Sequence, residues 1–312
     1  MSTSTSQYFK PGATACVTGA SSGIGRAAAL MCAAKGMHVF LVDVDVEDLE
    51  TAKKLVVERA SAESQKIEAI VADVSDEKAM VGVAEKVFAT NGECNFLFNN
   101  AGIGQGGGAL TPMDVVEKVM GVNTYGPMHG CLAFVPKMRE SGKSGLIVNT
   151  GSKQGITMPP GNLTYNMSKA ALKAYTEGLE HELRKERAES GGQLRAALLI
   201  PGWVNTSIVL KVEREKAKAK GEPFDKDSVF FHEDKPAKGA WLPNQVVDFL
   251  LEELETGKFY VVCPDNDVDR ETDNLRILWT ANDIISDRPP LSRWHPDYAE
   301  KFTEFLNEKK GK

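Results

Sequence analysis

The sequence has few of the patterns that hold metals or form disulfides. Its five cysteines (Cys16, Cys32, Cys94, Cys131 and Cys263) are widely scattered, and none stands in a Cys-x-x-Cys pair. Such thiols are typical of a reducing compartment and argue against a disulfide framework. The five histidines are equally dispersed, with no His-x-x-x-His or His-Glu-x-x-His spacing. Because zinc needs three or four converging ligands, we expect no metal site built by the protein.

Other absences exclude whole classes of function. The formal charge of −6 and pI near 5.6 argue against nucleic acid or an anionic membrane as the main partner. No apolar run approaches the ~18 residues of a membrane span, and the opening residues lack the apolar core of a signal peptide. The Gly-Lys-Ser/Thr of a P-loop NTPase is also missing. We therefore expect a cytoplasmic protein with a small-molecule partner.

What is present is an alternation of apolar runs with helical patterns. The β-rich runs, apolar on both faces, occupy residues 13–19, 38–43, 67–73, 95–100, 145–150 and 195–200, with a seventh at 258–263. Strands of this kind belong to a parallel sheet covered by helices on both sides. A further helix is predicted at 244–256. The pattern predicts an α/β fold of the Rossmann type, a doubly wound seven-stranded parallel sheet with helices on both faces.

A glycine-rich stretch, "VTGASSGIGR", follows the first strand and opens the first helix. Gly19, Gly23 and Gly25 would give a tight turn, close approach of a phosphate, and close packing of helix on strand. Taken alone, this spacing is equally compatible with an ordinary strand–helix turn. At the end of the second strand, however, Asp43 stands where a carboxylate would accept hydrogen bonds from the adenosine ribose of a dinucleotide.

The same carboxylate bears on the choice of cofactor. It would repel the 2′-phosphate of NADP, and neither Ser22 nor Val44 is replaced by an Arg or Lys that could attract one. The sequence therefore favours NAD as the cofactor. A second pair, Tyr165 and Lys169, lies one helical turn apart in "TYNMSK", so the two side chains should share a helix face. Alone, that spacing occurs by chance in many helices.

Taken together, these motifs resemble the short-chain dehydrogenase/reductase family over roughly residues 10–265. The resemblance rests on an ordered set: "TGASSGIG" (18–25), Asp73 in "VADVS", "NNAG" (99–102), Asn123 in "GVNTYG", Ser152 in "IVNTGS", "YNMSK" (165–169) and "PGWVNT" (201–206). Each piece is weak alone, but the set in this order is highly specific.

The resemblance implies four catalytic roles. Tyr165 would be the general acid/base and Lys169 the group that lowers its pKa. Ser152 would hydrogen-bond the substrate oxygen, and Asn123 would hold a water that links Lys169 to solvent. These roles agree with the chemistry, because an unperturbed tyrosine with a pKa of ~10 is a poor base at neutral pH until a nearby positive charge favours the phenolate.

The resemblance also implies the binding residues. Those for the cofactor are Gly19, Ser21, Ser22, Gly23, Ile24, Gly25, Asp43, Val44, Asp73, Val74, Asn100, Ala101, Gly102, Tyr165, Lys169, Pro201, Gly202, Val204 and Thr206. Those expected at the substrate are Gln105, Ser152, Gln154, Tyr165 and Trp203. Lys153 and Gln154 are bulky where relatives have small residues, and either could be solvated or contact substrate.

Residues 10–265 are thus predicted to form an NAD-binding and catalytic domain, with a substrate lid at 203–242. The extension at 266–312 should pack on this domain or on a neighbouring subunit. Family members form dimers or tetramers through two long helices, predicted here at about 111–141 and 163–190. The predicted activity is hydride transfer between nicotinamide and a secondary alcohol or ketone. The alternatives are an epimerase or dehydratase that uses NAD transiently, and a non-catalytic NAD-sensing protein.

Overall fold

A computed structural model describes residues 5–104 and 107–311. Seven strands form one parallel sheet in the order β3-β2-β1-β4-β5-β6-β7. They are β1 Thr14–Thr18, β2 His38–Asp43, β3 Ile67–Val71, β4 Phe96–Asn99, β5 Gly145–Thr150, β6 Leu194–Ile200 and β7 Tyr260–Val262. The predicted Rossmann-type sheet is confirmed. The strand order reverses between β1 and β4, and the crevice at such a switch point is where open α/β sheets bind their ligands.

Eleven α-helices are described. They are α1 Gly23–Ala34, α2 Val46–Glu58, α3 Glu77–Asn91, α4 Met113–Met120, α5 Gly126–Ser141, α6 Gln154–Thr157, α7 Leu163–Ser190, α8 Ile208–Lys220, α9 Pro243–Glu255, α10 Arg270–Ile285 and α11 Ala299–Lys310. Helices α1, α2 and α9 bury Ala28, Leu49 and Leu250 against one face of the sheet. Helices α3, α5 and α7 cover the other face, where Phe134 and Leu183 are buried.

Two details differ from the sequence prediction. Strand β3 was expected to be apolar on both faces and covered, yet its residues are half-buried and Val71 is exposed, because it forms the edge of the sheet. The helix predicted at 111–141 contains a π-helical segment, Gly121–Tyr125, between α4 and α5. The second predicted long helix, 163–190, coincides with α7.

The predicted lid at 203–242 and the extension at 266–312 follow the ends of β6 and β7 along the chain. In the predicted lid, helix α8 buries none of its residues. The extension folds as α10 and α11, and α10 contacts α6. All five cysteines are buried and free. Among the helices of residues 5–104 and 107–311, none combines the length and apolar character that a membrane span needs.

Candidate active site

Two glycines of the glycine-rich turn, Gly19 and Gly25, are packed too tightly to be replaced by residues with side chains. Gly19 adopts φ +65°, and a Cβ atom there would lie 2.8 Å from Ala101 Cα. A Cβ on Gly25 would lie 2.1 Å from the Gly19 carbonyl oxygen. These contacts hold the N-terminus of α1 close to the ends of β1 and β4. Ser21, Gly23 and Ile24 are buried in the same turn, and Ser22 is half-buried as the residue before α1.

Asp43, at the end of β2, faces this turn. Its Oδ2 accepts a hydrogen bond from the Ser21 N–H at 3.1 Å, and its Oδ1 accepts one from the Asp45 N–H at 3.1 Å. A carboxylate can accept more than these two bonds, so lone pairs remain for a ligand's hydroxyls. Val44 follows with an exposed side chain. The arrangement suits a ribose diol at the second strand.

The ends of β3 and β4 bring further predicted residues to the same edge. Asp73 Oδ1 accepts from the Ser75 N–H and hydroxyl at 2.8 and 2.7 Å, and Val74 is buried. Asn100 donates to the Thr18 carbonyl at 3.2 Å and Ala101 N–H donates to Thr18 Oγ1 at 3.1 Å, which fixes the β4 end beside the glycine turn.

Tyr165, Ser152 and Lys169 converge at the ends of β5 and α7. The Ser152 side chain lies close enough to the Tyr165 phenol to lower its pKa. Lys169 Nζ donates to the Thr150 carbonyl at 2.8 Å and lies 5.8 Å from the centroid of the Tyr165 ring. A Cβ on Gly102 would lie 3.6 Å from Lys169 Nζ, so the "NNAG" turn lies beside this cluster of side chains. The arrangement joins a proton-transfer group, a hydroxyl and a cation.

The pKa shifts in this cluster are set by burial. Burial raises the pKa of Tyr165, while the Ser152 contact opposes that change. Burial lowers the pKa of Lys169 to about 8. The raised pKa of Tyr165 reflects desolvation of the phenolate, which outweighs the Ser152 contact. The lowering of the Tyr165 pKa by Lys169 stays a prediction.

Asn123 lies in the π-helical segment and is fully buried. Its side-chain nitrogen donates to the Ile103 carbonyl at 3.0 Å and to Ser168 Oγ at 3.1 Å. Its Oδ1 accepts from the Ile103 N–H at 2.8 Å. Both amide donors are therefore occupied, and the predicted water could contact this residue only through an oxygen atom. The side chain ties the loop after "NNAG" to α7.

The remaining predicted residues line the opening of the cleft. Pro201 is buried, and Val204 forms an isolated parallel β-bridge with Trp241. Thr206 packs against the glycine turn, because a Cβ on Gly23 would lie 3.2 Å from Thr206 Cβ. Trp203 is 37% exposed and packs edge-to-face on Phe231 at 5.4 Å.

Of the two glutamines predicted at the substrate, Gln154 lies among the described residues. Gln154 accepts a hydrogen bond from the Asn162 side chain at 2.8 Å, which joins α6 to the start of α7. Gln105 lies outside the described residues.

Sequence reasoning missed a set of residues that reach the glycine turn from the predicted lid at 203–242. Glu233 Oε1 accepts from the Gly23 N–H at 2.5 Å and from the Ser207 hydroxyl at 3.1 Å. Its other oxygen pairs with Arg26. Lys211 Nζ lies 3.2 Å from Ser21 Oγ. No local sequence signal marks these contacts, because the lid residues are far from the turn along the chain.

Lys153 was also misjudged. The interpretation of Lys153 as a solvated side chain is wrong, and the alternative, a contact with substrate, stays a prediction. Its side chain is 16% exposed, and its ammonium is paired with Asp265 at 3.2 Å and with Asp273 at 2.6 Å. The cation therefore lies between the end of β7 and the C-terminal extension.

The comparisons with known proteins agree with this geometry. The profile of the short chain dehydrogenase family matches residues 13–217, about two thirds of the chain. The protein belongs to the short-chain dehydrogenase family. Among solved structures, a short-chain dehydrogenase/reductase of Burkholderia phymatum in complex with NAD is 28% identical, with a TM-score of 0.76 over 90% of this chain and 97% of that one. An NAD⁺-bound xylitol dehydrogenase is 29% identical, with a TM-score of 0.63 over 78% of this chain and 92% of that one. A metagenomic short-chain oxidoreductase in complex with NADP is 28% identical, with a TM-score of 0.56 over 72% of this chain and 96% of that one.

Curated relatives of this short-chain dehydrogenase are oxidoreductases by name. The 1-deoxy-11-beta-hydroxypentalenate dehydrogenase of Streptomyces avermitilis is 34% identical over 62% of this chain and 70% of its own length. EphD of Mycobacterium tuberculosis is 36% identical over 62% of this chain. The match spans only 31% of EphD, so the chain covers about a third of that relative's length.

Proposed function

We propose that this short-chain dehydrogenase is an NAD-dependent oxidoreductase that transfers a hydride between nicotinamide and a secondary alcohol or ketone. The observation that carries the proposal is the convergence of the Ser152 side chain on the Tyr165 phenol, with the Lys169 ammonium 5.8 Å from the centroid of the Tyr165 ring. Family membership supports the reaction class. The Streptomyces relative, named as a dehydrogenase of a hydroxypentalenate, is consistent with an alcohol substrate.

The residues at the sheet edge fit a dinucleotide. Gly19 and Gly25 have no room for side chains, and the Gly23 N–H at the N-terminus of α1 already donates a hydrogen bond to an anion, the Glu233 carboxylate. Phosphates bind at such termini because several N–H groups and the helix dipole favour negative charge. In this proposal the turn residues 19–25 hold the pyrophosphate, and Asp43 and Val44 hold the adenosine ribose.

Tyr165 would then act as the general base in alcohol oxidation. It removes the hydroxyl proton while Ser152 donates a hydrogen bond to the substrate oxygen. The bound oxidised nicotinamide supplies a hydride acceptor and a positive charge that favours the phenolate. In ketone reduction Tyr165 returns its proton to the oxygen. Lys169, held by the Thr150 carbonyl, keeps a cation near the ring in both directions.

NAD is proposed over NADP because of Asp43. The lid brings Lys211 within 3.2 Å of Ser21 Oγ, yet Lys211 and Arg214 both face Asp45, at 3.9 and 3.2 Å. The Asp45 carboxylate therefore already balances part of the positive charge of Lys211 and Arg214, which weakens their attraction for a 2′-phosphate. The carboxylate of Asp43, at the end of β2, is the group that we expect to meet the ribose.

The predicted organisation of the chain also stays a proposal. Residues 10–265 would form the catalytic domain with the lid at 203–242, and 266–312 the extension. Homodimers or homotetramers would form through α4–α5 and α7. A cytoplasmic location agrees with the free thiols.

The test is a panel of secondary alcohols with NAD⁺, monitored as NADH absorbance, alongside the corresponding ketones with NADH. Stoichiometric NADH formation with one or more alcohols would support the proposal. Conversion of substrate without net NADH would point to the epimerase or dehydratase alternative. Tight NAD binding with no turnover across the panel would favour the NAD-sensing protein.

A further inference from the structure

Lys153, the residue after Ser152, is held between two carboxylates from distant parts of the chain. Its Nζ lies 3.2 Å from Asp265 Oδ2 and 2.6 Å from Asp273 Oδ2. The side chains of Asp265 and Asp273 are only 7% and 4% exposed. Lys153 Nζ and Asp273 Oδ2 form an ion pair, but their geometry is not that of a hydrogen bond. Removing the cation would leave two nearly buried carboxylates facing each other.

The same cluster joins three strand ends around the candidate site. The Lys153 N–H donates to the Pro201 carbonyl at 3.3 Å, and Asp265 Oδ2 also accepts from the Trp203 N–H at 3.2 Å. Between them, Gly202 has no room for a side chain, because a Cβ would lie 2.5 Å from Asp265 Oδ2 and 2.6 Å from Lys153 Nζ. The positions of Ser152 and of the "PGW" turn are therefore coupled through one ammonium.

The C-terminal extension completes the cluster. Asp273 belongs to α10, and burial raises the pKa of its carboxyl while Lys153 opposes the change. Arg270 at the start of α10 donates to the Val262 carbonyl at 3.0 Å. Further along, Trp294 Nε1 donates to the Thr157 carbonyl at the end of α6 at 3.3 Å. The extension thus contacts the segment that follows Ser152 at two points, Lys153 through Asp273 and Thr157 through Trp294.

We propose that Lys153 is a positioning residue and that Asp273 makes the C-terminal extension part of the active site. Lys153, held by Asp265 and Asp273, fixes the Ser152 hydroxyl and the Trp203 turn relative to Tyr165. The inference rests on the proposed function, since it assumes that Ser152 contacts the substrate oxygen. A buried ion pair seldom adds much stability over an apolar pair, but in some proteins it fixes one arrangement of the groups that it joins.

The experiment compares Lys153→Met, Asp273→Asn and the double variant with wild type. The matched control is Asp269→Asn, which removes a carboxylate charge from the N-cap of the same helix, where Asp269 contacts Thr272 and Lys310 and not Lys153. Two readouts are needed: steady-state kinetics with an alcohol found in the panel, and amide hydrogen exchange of the full-length protein.

We expect both single variants to lower kcat/KM for the alcohol by roughly tenfold or more, since small displacements of a positioned group cost that much. The Kd for NADH should change by less than about twofold. Exchange should accelerate in segments 151–157 and 201–205 and stay unchanged in Asp269→Asn. The double variant should lose less than the product of the single losses, because both act through one contact.

Unchanged exchange in both segments would overturn the proposal, whatever the activity. Faster exchange with unaltered kcat/KM would also overturn it, since the cluster would then serve stability alone. A wild-type protein without any dehydrogenase activity would refute the proposed function and, with it, the catalytic part of this inference. Exchange would still decide whether Asp273 and Lys153 hold the two segments. If Lys153→Met fails to fold, the isosteric Asp273→Asn carries the test.

Discussion

Glu233 and Gly23 are joined by a hydrogen bond of 2.5 Å from the Gly23 N–H to the Glu233 carboxylate, at the first residue of α1. The N-terminus of a helix carries partial positive charge and attracts anions. A lid carboxylate therefore occupies the donor that a cofactor phosphate would use. In the proposed binding mode a dinucleotide would displace Glu233 from this donor, which would couple the predicted lid to the cofactor.

The variant Glu233→Gln should bind NADH more tightly. Replacement of the carboxylate by a neutral amide weakens the lid's competition for Gly23 and Arg26 by ~1 kcal/mol, which corresponds to a Kd about fivefold lower. Titration of NADH fluorescence measures the change. Asp234→Asn is the matched control, because Asp234 is the next residue but pairs with Lys226. Weaker binding by Glu233→Gln would mean that the carboxylate assists the cofactor and does not compete with it.

Tyr165→Phe should abolish most turnover and leave cofactor binding intact. The substitution removes only the hydroxyl, and general acid/base groups contribute ~10²–10⁴-fold to rate. Steady-state kcat and the Kd for NADH are the measurements. Tyr175→Phe is the control on the same helix, since its hydroxyl interacts with Cys131. A Tyr165→Phe enzyme that kept a kcat within about tenfold of wild type would refute the general-acid/base role.

Lys169 should make the stability of the cofactor-free protein depend on pH. Its pKa is about 8 in the folded protein, against 10.5 for the unperturbed group. Between these values the unfolded chain binds the proton and the folded chain does not, so the free energy of unfolding contributed by this group rises with pH. Below pH 8 its burial costs up to about 3 kcal/mol.

Lys169→Met should therefore stabilise the cofactor-free protein at pH 7 and remove its gain in stability between pH 8 and 10. Urea unfolding at several pH values measures this. Lys173→Met, one turn further along α7 and paired with Glu177 at the surface, is the control and should leave the slope unchanged. Equal pH slopes in wild type and Lys169→Met would show that Lys169 keeps an ordinary pKa.

The sequence predicted the parts of this structure that depend on local patterns. Strands such as His38–Asp43 and the whole of α7 follow from apolar runs and helical periodicity. The glycine turn and the Tyr165–Lys169 spacing are local as well. The half-exposed β3 was not predictable in the same way, because a strand's place at the sheet edge depends on the strand order.

Contacts between distant segments account for the rest. Glu233 is separated from Gly23 by 210 residues, and nothing in its surrounding sequence marks it as a partner of the helix terminus. Lys153 looked solvated because charged residues usually are. Its two carboxylate partners come from the end of β7 and from the extension. The sign of the Tyr165 pKa shift likewise depends on burial, which spacing along a helix cannot give.

The final prediction concerns the choice between NAD and NADP. Asp43 lies at the end of β2 with its carboxylate against the Ser21 N–H, at the expected position of the adenosine ribose. A 2′-phosphate beside it would meet a repulsion of several kcal/mol per pair of unit charges at ~4 Å and an effective dielectric near 20. Even about 2.8 kcal/mol corresponds to a hundredfold preference. We expect kcat/KM with NAD to exceed that with NADP by at least tens of times.

Asp43→Ser combined with Val44→Arg should narrow or reverse this ratio, because it removes the repulsion and adds a phosphate partner. Lys211→Ala tests the contribution of the lid. Since Lys211 and Arg214 already face Asp45, its loss should weaken NADP only slightly and leave NAD unaffected. A strong loss of NADP use in Lys211→Ala would instead assign the phosphate contact to the lid. Equal efficiency of the wild-type enzyme with both cofactors would refute the role given to Asp43.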